Sequence, residues 1–282
     1  MNSILDTCKE ALDYNGTMYG YPVSVETYAL FYNEDLISAD EVPTTWDEVI
    51  ETGSTWSDSE YYIAFNVGSG YYVVPFLTYN GNYPFSYDGL DTSSTYLTND
   101  DCLAGVEQFV ELRNSVLKVP SSDLSTSAVK SLFTNGNLAM YVSGLWDVTS
   151  FEEAGLNVGA ATMPSLLDET TPSITYNGTR AMFVSAYSKH QTEAAAFAEF
   201  LLTDEMQELR YELTGTMPAT DIEVDGDYLD VFYEQLEYSY PMFKNVDAEA
   251  YWASFNAACA NIWDGADALE EFEAVESTLV SE

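Results

Sequence analysis

The sequence is poor in positive charge. It carries 8 lysines and arginines against 47 acidic residues, a formal net charge of −39. A field of that sign repels phosphate backbones and anionic lipid, which excludes nucleic acid and acidic membrane surfaces as partners. Histidine is also scarce. His190 is the single one, in a polar Ser188-Lys189-His190-Gln191 stretch, and reads as an exposed loop residue rather than a catalytic base. Cysteine is limited to Cys8, Cys102 and Cys259. An odd number at wide spacing is neither a disulfide framework nor a zinc site. Cys8 and Cys102 fall on helical patterns beside apolar residues and are expected in the core. No apolar run is long enough to span a bilayer. The opening MNSILDTCKEAL has no basic head, so an export signal is not read in this chain. No G-x-S-x-G, P-loop or H-E-x-x-H pattern is found, and the acidic runs lack calcium-loop spacing.

What is abundant is aromatic: 22 Tyr, 14 Phe and 5 Trp in a chain of 282 residues that is 46% hydrophobic. That length suits one large domain or two small ones around a sizeable core. Strands alternate with helices and give way to a helical tail, which argues α/β layers. The organising stretch is YGYPVSVETYALFYNEDL, residues 19–36. Tyr19, Tyr21 and Val23 alternate with small residues, and Ala29 to Tyr32 is continuously apolar, so two strands joined by a short link are predicted. Glu26 sits between them. Residue chemistry alone leaves two readings of it: a solvated turn acid, or an acid that finds hydrogen-bond donors or a polar ligand.

Helices are predicted over 3–13, after the Thr45-Trp46-Asp47-Glu48 capping box, over 71–79 with Pro75 near the first turn, over 99–117 with Asn99 as cap, and over 127–133. Others are predicted over 192–202, 204–213, 228–238, 248–263 and 266–280. Asn15-Gly16 is a turn before a strand at Thr17, and Asn80-Gly81 with Asp88-Gly89 brackets a hairpin. Further strands are expected at 61–65, 138–142, 158–163 and 181–186, with a loop over 165–179.

Five segments carry a resemblance: TTWDEV at 44–49, NVGSGYYVVP at 66–75, FTNGNLAMYVSGLW at 133–146, FLLTDE at 200–205 and AYWASFNAA at 250–258. With the 19–36 stretch, they resemble, in order and spacing, the maltose/maltodextrin-binding proteins among the family 1 extracellular solute-binding proteins of ABC importers. The resemblance implies a type II periplasmic-binding-protein α/β fold. It assigns residues 1–28 and 182–227 to a partial N-terminal lobe with hinge segments, and 29–181 and 228–282 to a complete C-terminal lobe. The family carries a further N-terminal segment, on the order of a hundred residues, which implies that the apolar side of 182–226 lies exposed here and that this part is poorly stable.

The same resemblance implies a binding protein, not an enzyme: a monomer without metal or cofactor, at the extracellular membrane face or in the periplasm, in a family that includes lipoproteins. It would hand an oligosaccharide to ABC permease subunits. Tyr71, Trp146 and Trp252 match stacking residues, and Glu26 matches a hinge carboxylate that accepts from sugar hydroxyls. Flat rings take the apolar face of a sugar, and carboxylates and amides its hydroxyls. Departures matter too. Ser69-Gly70-Tyr71 replaces a Glu-Pro-Tyr triplet, and Trp252-Ala253 with Asn256 replaces a Trp-Tyr pair and an arginine. Ser69 and Asn256 are therefore candidate contacts of altered character. Three alternatives stay open: a different small solute, marked by a charged cleft; a secreted glycoside-cleaving enzyme; and a truncated product without function.

Overall fold

The computed structural model describes residues 4–57, 60–85, 95–168, 170–243 and 248–279. The chain opens with helix α1 (Asp6–Leu12), which turns Cys8 into the core. Strands β1 (Asp13–Tyr14) and β2 (Thr17–Met18) form a small hairpin. Its turn is the Asn15-Gly16 pair at φ of 53° and 78°, a left-handed conformation those two residue types adopt most readily. Strands β3 (Tyr21–Glu26) and β4 (Ala29–Asn33) follow, separated by the buried Thr27 and Tyr28.

The two strands enter different sheets. In the larger one, β4 is antiparallel to both β6 (Leu138–Ser143) and β7 (Val158–Ala161), and β5 (Tyr61–Ala64) runs parallel to β6, in the order β5-β6-β4-β7. Every residue of β4 and β6 is buried, so helices cover both faces; this is why these strands read as unbroken apolar runs. In the smaller sheet, β8 (Thr175–Met182) lies between β3 and β9 (Ser239–Pro241). The last residues of β8 pair antiparallel with β3, and Thr175–Asn177 pair parallel with β9.

Helix α2 (Trp46–Gly53) begins at the expected capping box, with Thr45 Oγ1 accepting from the Glu48 N–H and the Glu48 carboxylate reaching back. Trp46 is fully buried and donates its ring N–H to Ser173 at 3.2 Å. Helix α3 (Gly70–Leu77) places Pro75 at its sixth residue, not in its first turn as expected. The ring removes only the bond to the Tyr71 carbonyl, and the helix ends two residues later, where the loss is confined to one turn. Asn80-Gly81 then forms a 3₁₀ turn instead of one side of a hairpin; Asp88-Gly89 lies outside the described residues.

Helix α4 (Asp100–Ser115) is capped by Asn99, whose Oδ1 accepts from the Cys102 N–H at 2.8 Å. Helix α5 (Thr126–Thr134) stops at Asn135-Gly136 as predicted. The chain continues through α6 (Val148–Ala154), α7 (Gln191–Phe200), α8 (Asp204–Thr214), α9 (Leu229–Glu237), α10 (Ala248–Trp263) and α11 (Ala268–Leu279), in good register with the predicted tail. Two further segments differ from expectation. The 165–179 loop already contains the start of β8, which ends at Met182 instead of running to 186, and β9 was not foreseen. Both segments become strands through pairing with distant partners, against a local composition of Gly, Asn, Ser and Pro.

All three cysteines are free and buried, and His190 is exposed just before α7. The apolar side of the 182–226 region is open as expected: Phe183 is 65% exposed, Phe197 57% and Leu213 74%.

Candidate functional site

The site begins where β3 ends. Glu26 meets Arg180 of the neighbouring β8, whose Nε and Nη2 donate to the two carboxylate oxygens at 3.1 and 3.4 Å. The acid found hydrogen-bond donors, but they are those of an arginine the sequence reading did not single out. The carboxylate is only partly exposed and the guanidinium is more open, so the pair lies at a surface that solvent or a ligand reaches.

Trp146 comes to the same place from the other sheet. It occupies a 3₁₀ turn, Leu145–Asp147, at the end of β6. That turn is fastened by Asp147. Its carboxylate accepts from Tyr141 Oη at 2.9 Å and Ser143 Oγ at 2.6 Å, and pairs with Lys130 Nζ at 2.8 Å. The indole folds back over Gly144, where a Cβ would fall 2.1 Å from the ring, so a side chain there would displace the indole. Trp146 remains 40% exposed, a large apolar face that the fold leaves open. Between it and the ion pair is a cavity of about 290 Å³, lined by Glu26, Trp146, Arg180, Arg210, Thr214 and Met217 among others. This is at the lower end of the size range of small-molecule sites.

Tyr71 and Trp252 do not line that cavity. They belong to an aromatic cluster that includes Tyr28, the residue after the cavity-lining Thr27. The Tyr71 ring stacks on Tyr176 with centroids 6.1 Å apart and lies 4.9 Å from Tyr28. Trp252 meets Tyr176 edge-on at 5.9 Å. Tyr176, fully buried in β8, thus bridges two rings that the sequence pointed to and was itself overlooked. Burial pushes the Tyr71 phenol well above its usual range, and the nearby Glu26 carboxylate pushes it further.

Ser69 stands at the N-cap position of α3, but its side chain makes no cap bond. The bond is supplied by Asn256 of α10, whose Oδ1 accepts from the Gly70 N–H at 2.8 Å. The neighbouring Phe255 packs so closely that a Cβ at residue 70 would lie 2.2 Å from its ring. The start of α3, and with it Tyr71, is therefore held by α10. Among the described residues no group of His, Cys, Asp or Glu is arranged to hold a metal ion, and no helix is long and apolar enough to cross a membrane.

Sequence reasoning did not single out Arg180 and Arg210, which line the cavity, or Tyr176, which bridges the two rings. The rarity of basic residues was the available signal for the two arginines: two of only eight face one cavity.

Residues 2–230 match the family described as bacterial extracellular solute-binding protein. A galactooligosaccharide-binding protein of Bacillus subtilis is 31% identical over 209 residues, covering 72% of this chain and 49% of that protein. A maltotriose-binding protein of Pyrococcus abyssi is 26% identical over 268 residues, covering 90% of this chain and 57% of its own length. The chain thus spans about half the length of these relatives. Among solved structures, a cyclo/maltodextrin-binding protein in complex with maltotetraose superposes with a TM-score of 0.88 at 24% identity, over 99% of this chain and 75% of that one. The maltose-maltodextrin binding protein of Alicyclobacillus acidocaldarius gives 0.84 at 22%, over 99% and 75%. These likenesses show the fold, the α/β type II periplasmic-binding architecture expected from the sequence.

Proposed function

The chain belongs to the bacterial extracellular solute-binding proteins, and from that premise we propose that it is the oligosaccharide-binding part of an ABC sugar importer, taking a maltodextrin-like ligand. The observation that carries this reading is the cavity in which an open indole, Trp146, faces an acid, Glu26, that can accept from hydroxyls. A ring for the apolar face of a sugar and a carboxylate for its edge are complementary to a polyol. Relatives named for galactooligosaccharide, maltooligosaccharide and maltotriose binding lend weight to a sugar over other solutes.

The proposed division places 1–28 and 182–227 in a partial N-terminal lobe and 29–181 with 228–282 in the C-terminal lobe. Closure about the segment between β3 and β4 would present a closed form to permease subunits. The protein would act as a monomer, without catalysis, at the outer face of the membrane or in the periplasm. Glu26 and Trp146 would contact the sugar, with Tyr71 and Trp252 extending the aromatic surface. Ser69 and Asn256 would serve the site from the start of α3.

Calorimetric titration with maltose through maltoheptaose, and with galactooligosaccharides, tests the reading. Saturable binding of at least one is expected. Absence of binding across the whole panel overturns it, and release of reducing sugar would turn the assignment to an enzyme.

A further inference from the structure

Arg210 is the residue of the cavity that the proposed sugar contacts leave unused. It projects from α8 and lines the hollow with Trp146 and Glu26. Its Nε is shielded from solvent and has no hydrogen-bond partner. The ion pairs among the described residues do not include it, although the chain carries 47 acids. Arg180, by contrast, already spends two of its nitrogens on Glu26. A guanidinium offers five donors in a planar fork, and a buried donor without an acceptor is costly. The cavity therefore has on one side a guanidinium outside any ion pair, its Nε without an acceptor, and on the other a carboxylate with spare lone pairs.

Two ligand groups could meet such a fork: a carboxylate or a pair of adjacent hydroxyls. A carboxylate only accepts, so it would satisfy Arg210 yet offer no donor to the free lone pairs of Glu26, whose charge Arg180 already balances. The overall charge of −39 also opposes its approach. A vicinal diol both accepts and donates. It takes two N–H groups from the fork and gives its own protons to the free lone pairs of Glu26, while the C–H face of the ring rests on Trp146.

We infer that Arg210 is a ligand-binding residue whose guanidinium grips two adjacent free hydroxyls of an uncharged glycan ring stacked on Trp146. This rests on the oligosaccharide reading above. It adds a contact from α8 and restricts the ligand to glycans with an unsubstituted diol at that ring.

The test is calorimetric titration of the full chain with maltotriose and with maltotriose oxidised at C6 to carry one uronate, at low and high salt. The variants are Arg210→Gln, Arg210→Lys, which keeps the charge and loses the fork, and Lys189→Gln on an exposed loop. Circular dichroism verifies folding, and the Lys variant keeps the test decisive should the Gln variant misfold. The expected result is a loss of about tenfold or more in maltotriose affinity for both Arg210 variants, independent of salt, with Lys189→Gln unchanged. Wild-type affinity in Arg210→Lys and Arg210→Gln overturns the inference. So does a tighter, salt-sensitive complex with the uronate sugar, which assigns the fork to an anion while leaving sugar binding intact. If the wild-type protein binds no glycan at all, the oligosaccharide reading fails, and this inference fails with it.

Discussion

Replacing Asn256 by alanine separates two roles that the residue could have in the site. Its Oδ1 accepts from the Gly70 N–H at 2.8 Å, across 186 positions of sequence, and so caps the helix that carries Tyr71. Gly70 is buried, so truncation leaves its N–H without a partner. Loss of a helix cap costs about 1 kcal/mol, and an orphaned buried donor about 1–3 kcal/mol; these describe one event, and a total of about 1–2 kcal/mol is expected. For a chain of this size that lowers Tm by about 2–3 °C. Glycan affinity should fall as well, because Tyr71 loses its fixed entry angle. The informative comparison is Asn256→Asp, which keeps the acceptor oxygen and loses the amide donors. Thermal unfolding followed by circular dichroism, paired with sugar titration, reads both effects. Near wild-type stability and affinity in the Asp variant, with both reduced in the Ala variant, is the expected pattern. Undiminished stability in Asn256→Ala, with affinity lost in the Asp variant too, would refute the capping argument and return Asn256 to direct sugar contact through its amide.

Trp146→Ala should weaken oligosaccharide binding by about tenfold or more. It should lower stability by no more than about 1 kcal/mol, because the ring is 40% exposed; calorimetry and thermal melts distinguish the two. Stability should fall steeply above about pH 9. Burial raises the Cys8 thiol to about 11, and raises Cys102 and Tyr233 each to about 12. The folded state then keeps protons that the unfolded state has released. Stability is complete below the unfolded pKa values and declines as pH climbs toward the folded ones. Denaturant melts between pH 7 and 11 test this, and a flat profile contradicts it. The open face around Phe183 and Phe197 should bind an apolar fluorescent dye in the native state. Phe183→Ser combined with Phe197→Ser should lower that signal with little change in the melt, and an unchanged signal would place the dye elsewhere.

Much of this architecture is legible in the sequence where structure is decided locally. The Thr45 capping box, the Asn99 cap and the Asn15-Gly16 turn involve neighbours within four residues, and each forms as the spacing predicts. The buried strands β4 and β6 announce themselves because both faces need apolar residues. Strand β8 does not. Its sequence TYNGTRAM interrupts strand-favouring Thr and Tyr with Asn and Gly, and it is extended because β3 and β9 flank it. The site divides along the same line. Glu26 and Trp146 were singled out by the family resemblance and not by residue type alone, and they share a cavity. The partnership of Glu26 with Arg180 spans 154 residues, and that of Asn256 with Gly70 spans 186. No local pattern encodes either, so Arg180 was unseen and the acceptor role of Asn256 was hidden behind a presumed ligand contact.

The route from one sheet to the other has a mechanical consequence. Only Thr27 and Tyr28 separate β3 from β4, and Thr27 is fastened to Thr175 at 2.8 Å and to the Tyr176 carbonyl at 2.9 Å. Strand β8 passes through the same level without a break, laddered to β9 at its start and to β3 at its end. A ribbon clamped at both ends flexes like a leaf spring, with a restoring torque, and not like a free joint. Points near its bend travel little, while points far along the lever arm sweep widely. Glu26 ends β3 at that bend and Trp146 follows β6 of the other sheet, so in the proposed closure a guest held by the ion pair would stay almost stationary while the indole moves toward it.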